Sequence, residues 1–582
     1  MRINRFYDNK ICFIILLLSL VFSFCASAIA NPIIIEFCPD TYLTDEPDEY
    51  FVLALKDPLI QYTITDGEGT LSFPVGASMQ GKSTVTIAYE GSAFFEVHGH
   101  YPDFEIKDSS YVPNMVNKGT FRLANKDDEI TVLSNNQVID TVQWPGDVTR
   151  REGQVHYRDV GGTWDPRVLM LGGTRLSSTS FSGVSGVAFV SPDSSRSELL
   201  HAIAEARRSL FLNVYEISDR DIAEALCTAH AKGVSVRVLV EGGPVGGISS
   251  EEHSVLNRLN QCGTEVKQVG GGRVHSPYRF NHAKYLTVDD RCVFVVSENI
   301  GVHGFPELGT NGNRGWGVYL CHSELASYMS EVFVKDFTNP ASVPIIPSYG
   351  QTRSEASEED AEIRAYTPVF SRFSFTGAEV IPVITPDTYY ELVSLIDRAT
   401  KTIDIEQAYI SQTKGEWTEL MHHVFDAARR GVSIRILLDS YWFNVVGTND
   451  NDEIVDQIRR IAYDEGLSLE ARLIDLRATN LMKIHNKGVL VDGREVFVSS
   501  INWNENSPSF NREVGMIIKS TEVAGYFTEI FESDWNPRPV SSSLSLDPVE
   551  VPNSRGIDML RLFGLLVVVL ILFVVYVRRH HW

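Results

Sequence analysis

The stretch Asn281-His-Ala-Lys-Tyr-Leu-Thr-Val-Asp-Asp-Arg-Cys-Val-Phe-Val-Val-Ser-Glu-Asn299 has a counterpart further along the chain. That counterpart is Ile484-His-Asn-Lys-Gly-Val-Leu-Val-Asp-Gly-Arg-Glu-Val-Phe-Val-Ser-Ser-Ile-Asn502. Both contain His-x-Lys-x-x-x-x-Asp, and His282 and His485 are 203 residues apart. Side chains two apart on a strand share a face, so His282 goes with Lys284 and His485 with Lys487. Asp289-Asp290 and Asp492-Gly493 are hairpin turn residues. A return strand from each turn carries Ser297 and Asn299, or Ser500 and Asn502, back beside the histidine and lysine. An imidazole, an ammonium, a hydroxyl and an amide then converge on one point, a set suited to a tetrahedral anion.

The duplication extends outward from these motifs. Phe189-Val-Ser-Pro-Asp193 corresponds to Val383-Ile-Thr-Pro-Asp387, with Pro192 and Pro386 separated by 194 residues, as are Tyr215 and Tyr409. Ala229-His-Ala-Lys-Gly-Val-Ser-Val-Arg-Val-Leu-Val240 corresponds to Ala427-Ala-Arg-Arg-Gly-Val-Ser-Ile-Arg-Ile-Leu-Leu438 at an offset of 198. A repeat this long is a duplicated domain rather than a solenoid unit. Leu199, Leu200, Ile203 and Ala206 form one helical face, and Gly233 and Gly431 stop helices in left-handed caps. Strand–helix alternation predicts a mostly parallel sheet with helices on its faces. The boundaries expected are 186–345 and 376–540 for the two domains. An acidic linker at 346–375 contains Glu355, Glu358, Glu359, Asp360 and Glu362. Glycine-rich Gly242–Gly247 and Gly270–Gly272 are either phosphate cradles or hinges. Trp442 and Trp503 either line a lipid groove or pack in the core.

Residues 31–150 differ in texture. Short β-rich runs separated by Gly, Pro, Asn and Asp predict a β-sandwich. Up to residue 145 this region holds 18 acidic against 6 basic residues. Over all 582 residues the net charge is −24, which disfavours a generic nucleic-acid coating protein but not a nuclease with a local basic cleft. Arg2, Arg5 and Lys10, an apolar run and Ala26-Ser-Ala-Ile-Ala30 read as a signal peptide over 1–30. The apolar segment 557–577 is long enough for a transmembrane helix. It follows a stalk at 541–556 and precedes a basic cytoplasmic tail at 578–582. The expectation is a single-pass cell-surface protein with its catalytic region outside. Cys38, Cys227, Cys262, Cys292 and Cys321 remain after the signal, an odd number whose pairing the spacing does not name. No spacing suggests zinc, and no metal or cofactor is expected.

The paired His-x-Lys-x4-Asp motifs resemble those of the phospholipase D superfamily, over roughly 186–540. The N-terminal region resembles the lamin-tail domain. That likeness rests on Ile33-Ile-Ile-Glu-Phe37, Asp45-Glu-Pro-Asp-Glu-Tyr50 and Thr131-Val-Leu-Ser-Asn-Asn-Gln-Val-Ile-Asp-Thr-Val142. Together these imply an α/β fold. Two duplicated domains form one bilobed catalytic unit, preceded by a small all-β immunoglobulin-like sandwich and followed by the transmembrane helix. The phospholipase D resemblance also implies roles. His282 is the nucleophile forming a phosphohistidine and His485 the acid/base. Lys284, Lys487, Asn299 and Asn502 stabilise charge, while Asp289 and Asp492 orient the histidines. Glu513 in Asn511-Arg-Glu-Val-Gly515 stands at a position commonly acidic in the family, but Asn313-Arg-Gly-Trp-Gly317 has Gly315 there. Val296 likewise replaces the usual Gly before the Ser, where Ser499 is nearer the rule. The function expected is an exported, membrane-anchored phosphodiesterase acting on phospholipid. The alternatives are an extracellular nuclease of the same superfamily, or a catalytically inactive surface adhesin. The β module would serve adhesion or spacing toward a surface ligand.

Overall fold

The computed structural model describes residues 33–145, 151–159, 161–272, 274–345, 363–447 and 450–537. The N-terminal module is two β-sheets over one core. In the first, Ile34–Cys38 pairs antiparallel with Tyr50–Leu53; in the second, Tyr62–Thr65 pairs antiparallel with Asp128–Ser134. Phe37, Phe51, Leu53, Ile64, Ile130 and Val132 point into the space between. The expected sandwich is therefore present, with a departure. Val85–Glu90 and Phe104–Lys107 run parallel, and the helix Gly91–His98 makes the crossover that parallel neighbours require. The module also extends beyond residue 150, because Gln154–Tyr157 and Leu169–Met170 complete the first sheet.

The duplicated region is one continuous sheet of 15 strands. Its centre is the antiparallel pair Phe181–Ser191 and Phe373–Ile384, one from each repeat. Outward through the first repeat come Gly315–Cys321, Cys292–Val296, Lys284–Val288, Ser209–Val214, Ser235–Glu241, Glu265–Val269 and the short edge Ser342–Pro344. Outward through the second come Val514–Lys519, Glu495–Ser499, Lys487–Val491, Thr402–Gln407, Ser433–Leu438 and Leu469–Leu473. Parallel pairing in this sheet joins Ser209–Val214, Ser235–Glu241 and Glu265–Val269, and likewise their three counterparts. The sheet is thus mixed rather than mostly parallel, because the two His-Lys hairpins return antiparallel between the centre and the parallel strands. The first strands begin at 181 and 373, a few residues before the expected 186 and 376.

Alternation along the inner strands sorts side chains between two layers. Tyr285, Val293 and Val295 face the helix Ser323–Thr338, whereas Leu286, Val288, Phe294 and Val296 face the opposite layer of helices. The layer containing Ser323–Thr338 and its counterpart Thr521–Trp535 is a single core shared by both repeats, with Trp316 stacked on Phe527. Asp289 and Asp290, and Asp492 and Gly493, adopt positive φ in the hairpin turns. Gly233 and Gly431 take the left-handed conformation just beyond their helices.

Two buried ionic clusters tie the repeats together. Arg314 of the first repeat binds its own Asp193 at 3.0 Å and Asp534 of the second at 2.7 Å. Arg512 of the second repeat binds its own Asp387 at 3.1 Å and Asp336 of the first at 2.9 Å. The lead-in segments exchange in the same way. Thr174 and Leu176, preceding the first repeat, bind Asp387, whereas Tyr366, Val369 and Phe370, preceding the second, bind Asp193.

The fold expectation is corrected at its C-terminal end. Among the described residues no helix is long and apolar enough to cross a membrane. The segment 557–577, together with 1–30, 541–556, 578–582 and most of the acidic linker, lies outside the described residues. The cysteine pairing left open by the sequence resolves as Cys227–Cys262 and Cys292–Cys321, with Cys38 buried as the free thiol.

Replacing Arg512 with Met leaves Asp336 and Asp387 buried without their counter-charge. The expected loss is about 3–5 kcal/mol of stability, read by urea denaturation at pH 7. Arg314→Met should cost a similar amount, since Asp193 and Asp534 are equally enclosed.

Candidate active site

Each histidine sits on the lead-in to an inner strand and is stitched to the opposite repeat. The His282 N–H donates to the Arg512 carbonyl at 2.8 Å, and the His485 N–H donates to the Arg314 carbonyl at 2.9 Å. The residue before each histidine is clamped by an acid at the end of a parallel strand. Asn281 N–H donates to Glu241 at 2.6 Å, and Ile484 N–H donates to Asp439 at 2.7 Å. These acids are 198 residues apart, the offset of the repeat, so aligning the two copies one residue further would have exposed them. Burial pushes the Glu241 carboxyl up to about 7 and the Asp439 carboxyl up to about 6.

The imidazoles make their side-chain contacts across the same seam. His282 Nδ1 lies 2.8 Å from Glu513 Oε2, and His485 Nδ1 lies 3.3 Å from Glu298 Oε2. Asn511 Nδ2 donates to Glu513 and Asn313 Nδ2 donates to Glu298, so matching amides hold the two carboxylates. Turning Nδ1 toward a carboxylate leaves Nε2 as the nitrogen on the far side of each ring. The His282 and His485 side chains keep 12% and 19% of their surface, while Glu513 and Glu298 beneath them are buried. The edge of Tyr215 packs on His282 with ring centroids 4.7 Å apart.

Lys284 and Lys487 are buried beside the histidines and donate to the carbonyls of His282 at 2.9 Å and His485 at 2.6 Å. Burial lowers the Lys284 ammonium to about 8, with Glu513, Glu216 and Glu298 opposing the shift. Burial and the neighbouring Lys284 push Lys487 well below its ordinary value. Burial lowers His282 to about 4 against the pull of Glu513, and the charges of Lys284 and Lys487 add to the lowering. The charge of each repeat therefore reaches the titrating groups of the other, and the two motifs form one electrostatic unit. Burial raises Glu513, yet His282 and Lys284 outweigh it and hold the carboxyl below its usual range.

The remaining expected residues divide. Ser297 Oγ accepts the Trp316 N–H, and Ser500 Oγ accepts the Val514 N–H, so both serines pin the strand that follows the motif. Asn299 Nδ2 donates to Glu216 at 3.1 Å, and Asn502 receives its fixed position through its own N–H to Ser507 Oγ. Asp289 and Asp492 do not orient the histidines by contact. Asp289 accepts the N–H groups of Arg207, Arg208 and Ser209, and Asp492 accepts those of Thr400, Lys401 and Thr402. Each lies at the far turn of its strand, roughly 20 Å of extended chain from its histidine. Backbone N–H groups at Asp289, and the Thr400 hydroxyl with backbone N–H groups at Asp492, outweigh burial and hold both carboxyls below the usual range.

Other tempting features settle as well. The glycine loop after Glu241 is no phosphate cradle, because Gly243 N–H donates to the Glu241 carboxylate and Gly242 and Gly247 donate to carbonyls. Trp503 is core, whereas Trp442 is 62% exposed on the turn Trp442–Asn444. Among the described residues no cluster of His, Cys, Asp and Glu is arranged to hold a metal ion.

Residues 199–337 and 392–535 match the family described as "Cardiolipin synthase, PLD-like domain". No curated protein matches the chain. Among solved structures, a phosphatidylserine synthase from Haemophilus influenzae Rd KW20 is similar at 14% identity and a TM-score of 0.44. The match covers 60% of this chain and 85% of that one. Nuc, a phospholipase D family member from Salmonella typhimurium, is similar at 20% identity and a TM-score of 0.24, covering 29% of this chain and 99% of its own. A polyphosphate kinase from Porphyromonas gingivalis is similar at 11% identity and a TM-score of 0.38, covering 62% and 50% respectively.

Glu513→Gln removes the anion that holds the His282 proton. Its loss lowers the His282 pKa further, so the acid limb of kcat/KM should move to lower pH while turnover falls by about 10²-fold. A pH–rate profile of the variant against the unaltered protein checks both.

Proposed function

We propose, from the PLD-like domain matched over residues 199–337 and 392–535, that the chain is a phosphodiester-acting enzyme of the phospholipase D superfamily, exported and cleaving or transferring phospholipid headgroups. The observation that carries the chemistry is the crossed pair of His–carboxylate contacts, His282 with Glu513 and His485 with Glu298, over two buried lysines. His282, held neutral at pH 7 by burial, attacks phosphorus through Nε2 and forms a phosphohistidine. His485 gives a proton to the leaving alcohol. It then takes one from water, or from an acceptor alcohol, as that oxygen attacks the phosphohistidine and frees His282. Lys284 and Lys487 supply the positive charge that the phosphoryl oxygens need in the transition state. Asn299 and Asn502 keep the return strands in place beside them.

A lipid substrate is favoured by the surface beside His485. Asp439 clamps Ile484 through one oxygen and binds Tyr441 N–H and Asn444 through the other. That turn carries Trp442 at 62%, Phe443 at 65% and nearby Val446 at 71% exposure. Aromatic and aliphatic side chains left open beside a catalytic histidine suit the interface of a bilayer better than a polyphosphate. The net charge of −24 works against a long nucleic acid. Two disulfides fit an oxidising compartment outside the cytoplasm. The lamin-tail-like module acts as a spacer or adhesive surface in this reading.

The test offers phospholipid vesicles, plasmid DNA and an aryl phosphodiester to the full-length protein. Vesicle turnover with phosphate trapped on His282, and its loss in His282→Ala, are the expected results. Plasmid cleavage with inert vesicles would overturn the lipid assignment, and no turnover of any substrate would overturn the enzyme. Trp442→Ala combined with Phe443→Ala should lower vesicle turnover by about 5-fold or more and leave the aryl phosphodiester rate within about 2-fold.

A further inference from the structure

The two half-sites carry their acids at different sequence positions. In the second repeat the acid is Glu513, in Asn511-Arg512-Glu513, and the residue after Ser500 is Ile501. In the first repeat the matching triplet is Asn313-Arg314-Gly315, and the residue after Ser297 is Glu298. The strand register relates these positions. Val296 lies opposite Gly317 and Ser499 opposite Gly515, so continuing each ladder sets 298 opposite 315 and 501 opposite 513. Each half-site thus has one carboxylate on one of two facing positions, and the repeats use opposite members of the pair.

The space at Gly315 agrees. A Cβ there would lie 2.5 Å from Glu298 Cγ and closer still to its Oε1, so the Glu298 side chain already fills the volume a residue at 315 would need. Although Glu513 also accepts from Ser507 Oγ at 2.5 Å, the Glu298 carboxylate shares two partners with its counterpart. Asn313 Nδ2 holds it at 3.0 Å as Asn511 Nδ2 holds Glu513 at 3.1 Å. Its other neighbour is the Nδ1 side of His485 at 3.3 Å, as His282 is for Glu513 at 2.8 Å.

We infer that Glu298 is the positioning residue of His485, reaching from the neighbouring strand into the place left by Gly315, so that Glu298 and Gly315 form an exchanged pair. This rests on the reading of His485 as the acid/base. The carboxylate fixes the ring with Nε2 turned away from it and favours the imidazolium from which the leaving alcohol takes its proton. Burial raises the Glu298 carboxyl. Lys487, Lys483 and Lys284 favour its anion against that burial, as does the bond from Asn313.

The exchange provides its own test. Glu298→Ile should lower aryl phosphodiester turnover by about 10²-fold. Gly315→Glu alone should also be impaired, because two side chains compete for one volume. The double variant Glu298→Ile with Gly315→Glu copies the second repeat and should recover to within about 10-fold of the unaltered protein. A purely structural role for Glu298 would make the second substitution add to the damage, and that outcome overturns the inference.

A second readout does not need turnover. Diethyl pyrocarbonate modifies the neutral imidazole, and its rate at His485 is followed against pH by mass spectrometry of the peptide containing that residue. Glu298→Gln keeps the size and the Asn313 contact but removes the charge, so the pH midpoint of His485 reactivity should fall by about one unit while that of His282 moves less. An unchanged His485 midpoint overturns the inference even if the protein turns over substrate. If the unaltered protein turns over no phosphodiester, the functional reading fails, and the His485 midpoint still decides this inference.

Discussion

The antiparallel seam between Phe181–Ser191 and Phe373–Ile384 is the constraint on which the rest of the molecule depends. It joins two copies of one fold into a single sheet and brings the ends of their inner strands together. Hydrogen bonds along the seam fix register, but they do not fix which loops meet above it. Arg314 and Arg512 do that. Each binds an aspartate from its own repeat and one from the other, and each offers its backbone carbonyl to the opposite histidine. The same two residues therefore hold the repeats together and set the height of the imidazoles. A buried ion pair is a poor source of net stability, but it penalises any arrangement in which one partner is missing. Here that penalty falls on any sliding of one repeat past the other.

The site built on this seam concentrates charge under two half-open rings. Two lysines, two glutamates and two histidines share a volume from which water is largely excluded, so each group's protonation depends on the others. Burial lowers His282 to about 4 against the pull of Glu513, while His282 and Lys284 hold the Glu513 carboxyl below its usual range despite its burial. The serines and aspartates of the motif serve the scaffold. Ser297 and Ser500 pin the following strand, and Asp289 and Asp492 cap the distant turns.

Much of this was legible in the residues. The paired His-x-Lys motifs, the turn residues Asp289-Asp290 and Asp492-Gly493, and the helix stops at Gly233 and Gly431 each rest on local chemistry that a strand, a turn or a cap imposes. The sheet is less parallel than helix–strand alternation predicts, because only three strands of each repeat, Ser209–Val214, Ser235–Glu241 and Glu265–Val269 and their counterparts, pair in parallel. The role given to Asp289 and Asp492 failed for a related reason. Spacing of seven residues along a strand separates groups rather than joining them.

The sequence by itself determined the duplication and the two half-sites, because these follow from repeated residue types at short range. Only the tertiary structure decided which acid serves which histidine. Glu513 reaches His282 across 231 residues, and Glu298 takes the place that Gly315 leaves empty. Such pairings depend on where two strands of a closed seam come to lie. No local preference of the chain records that distance.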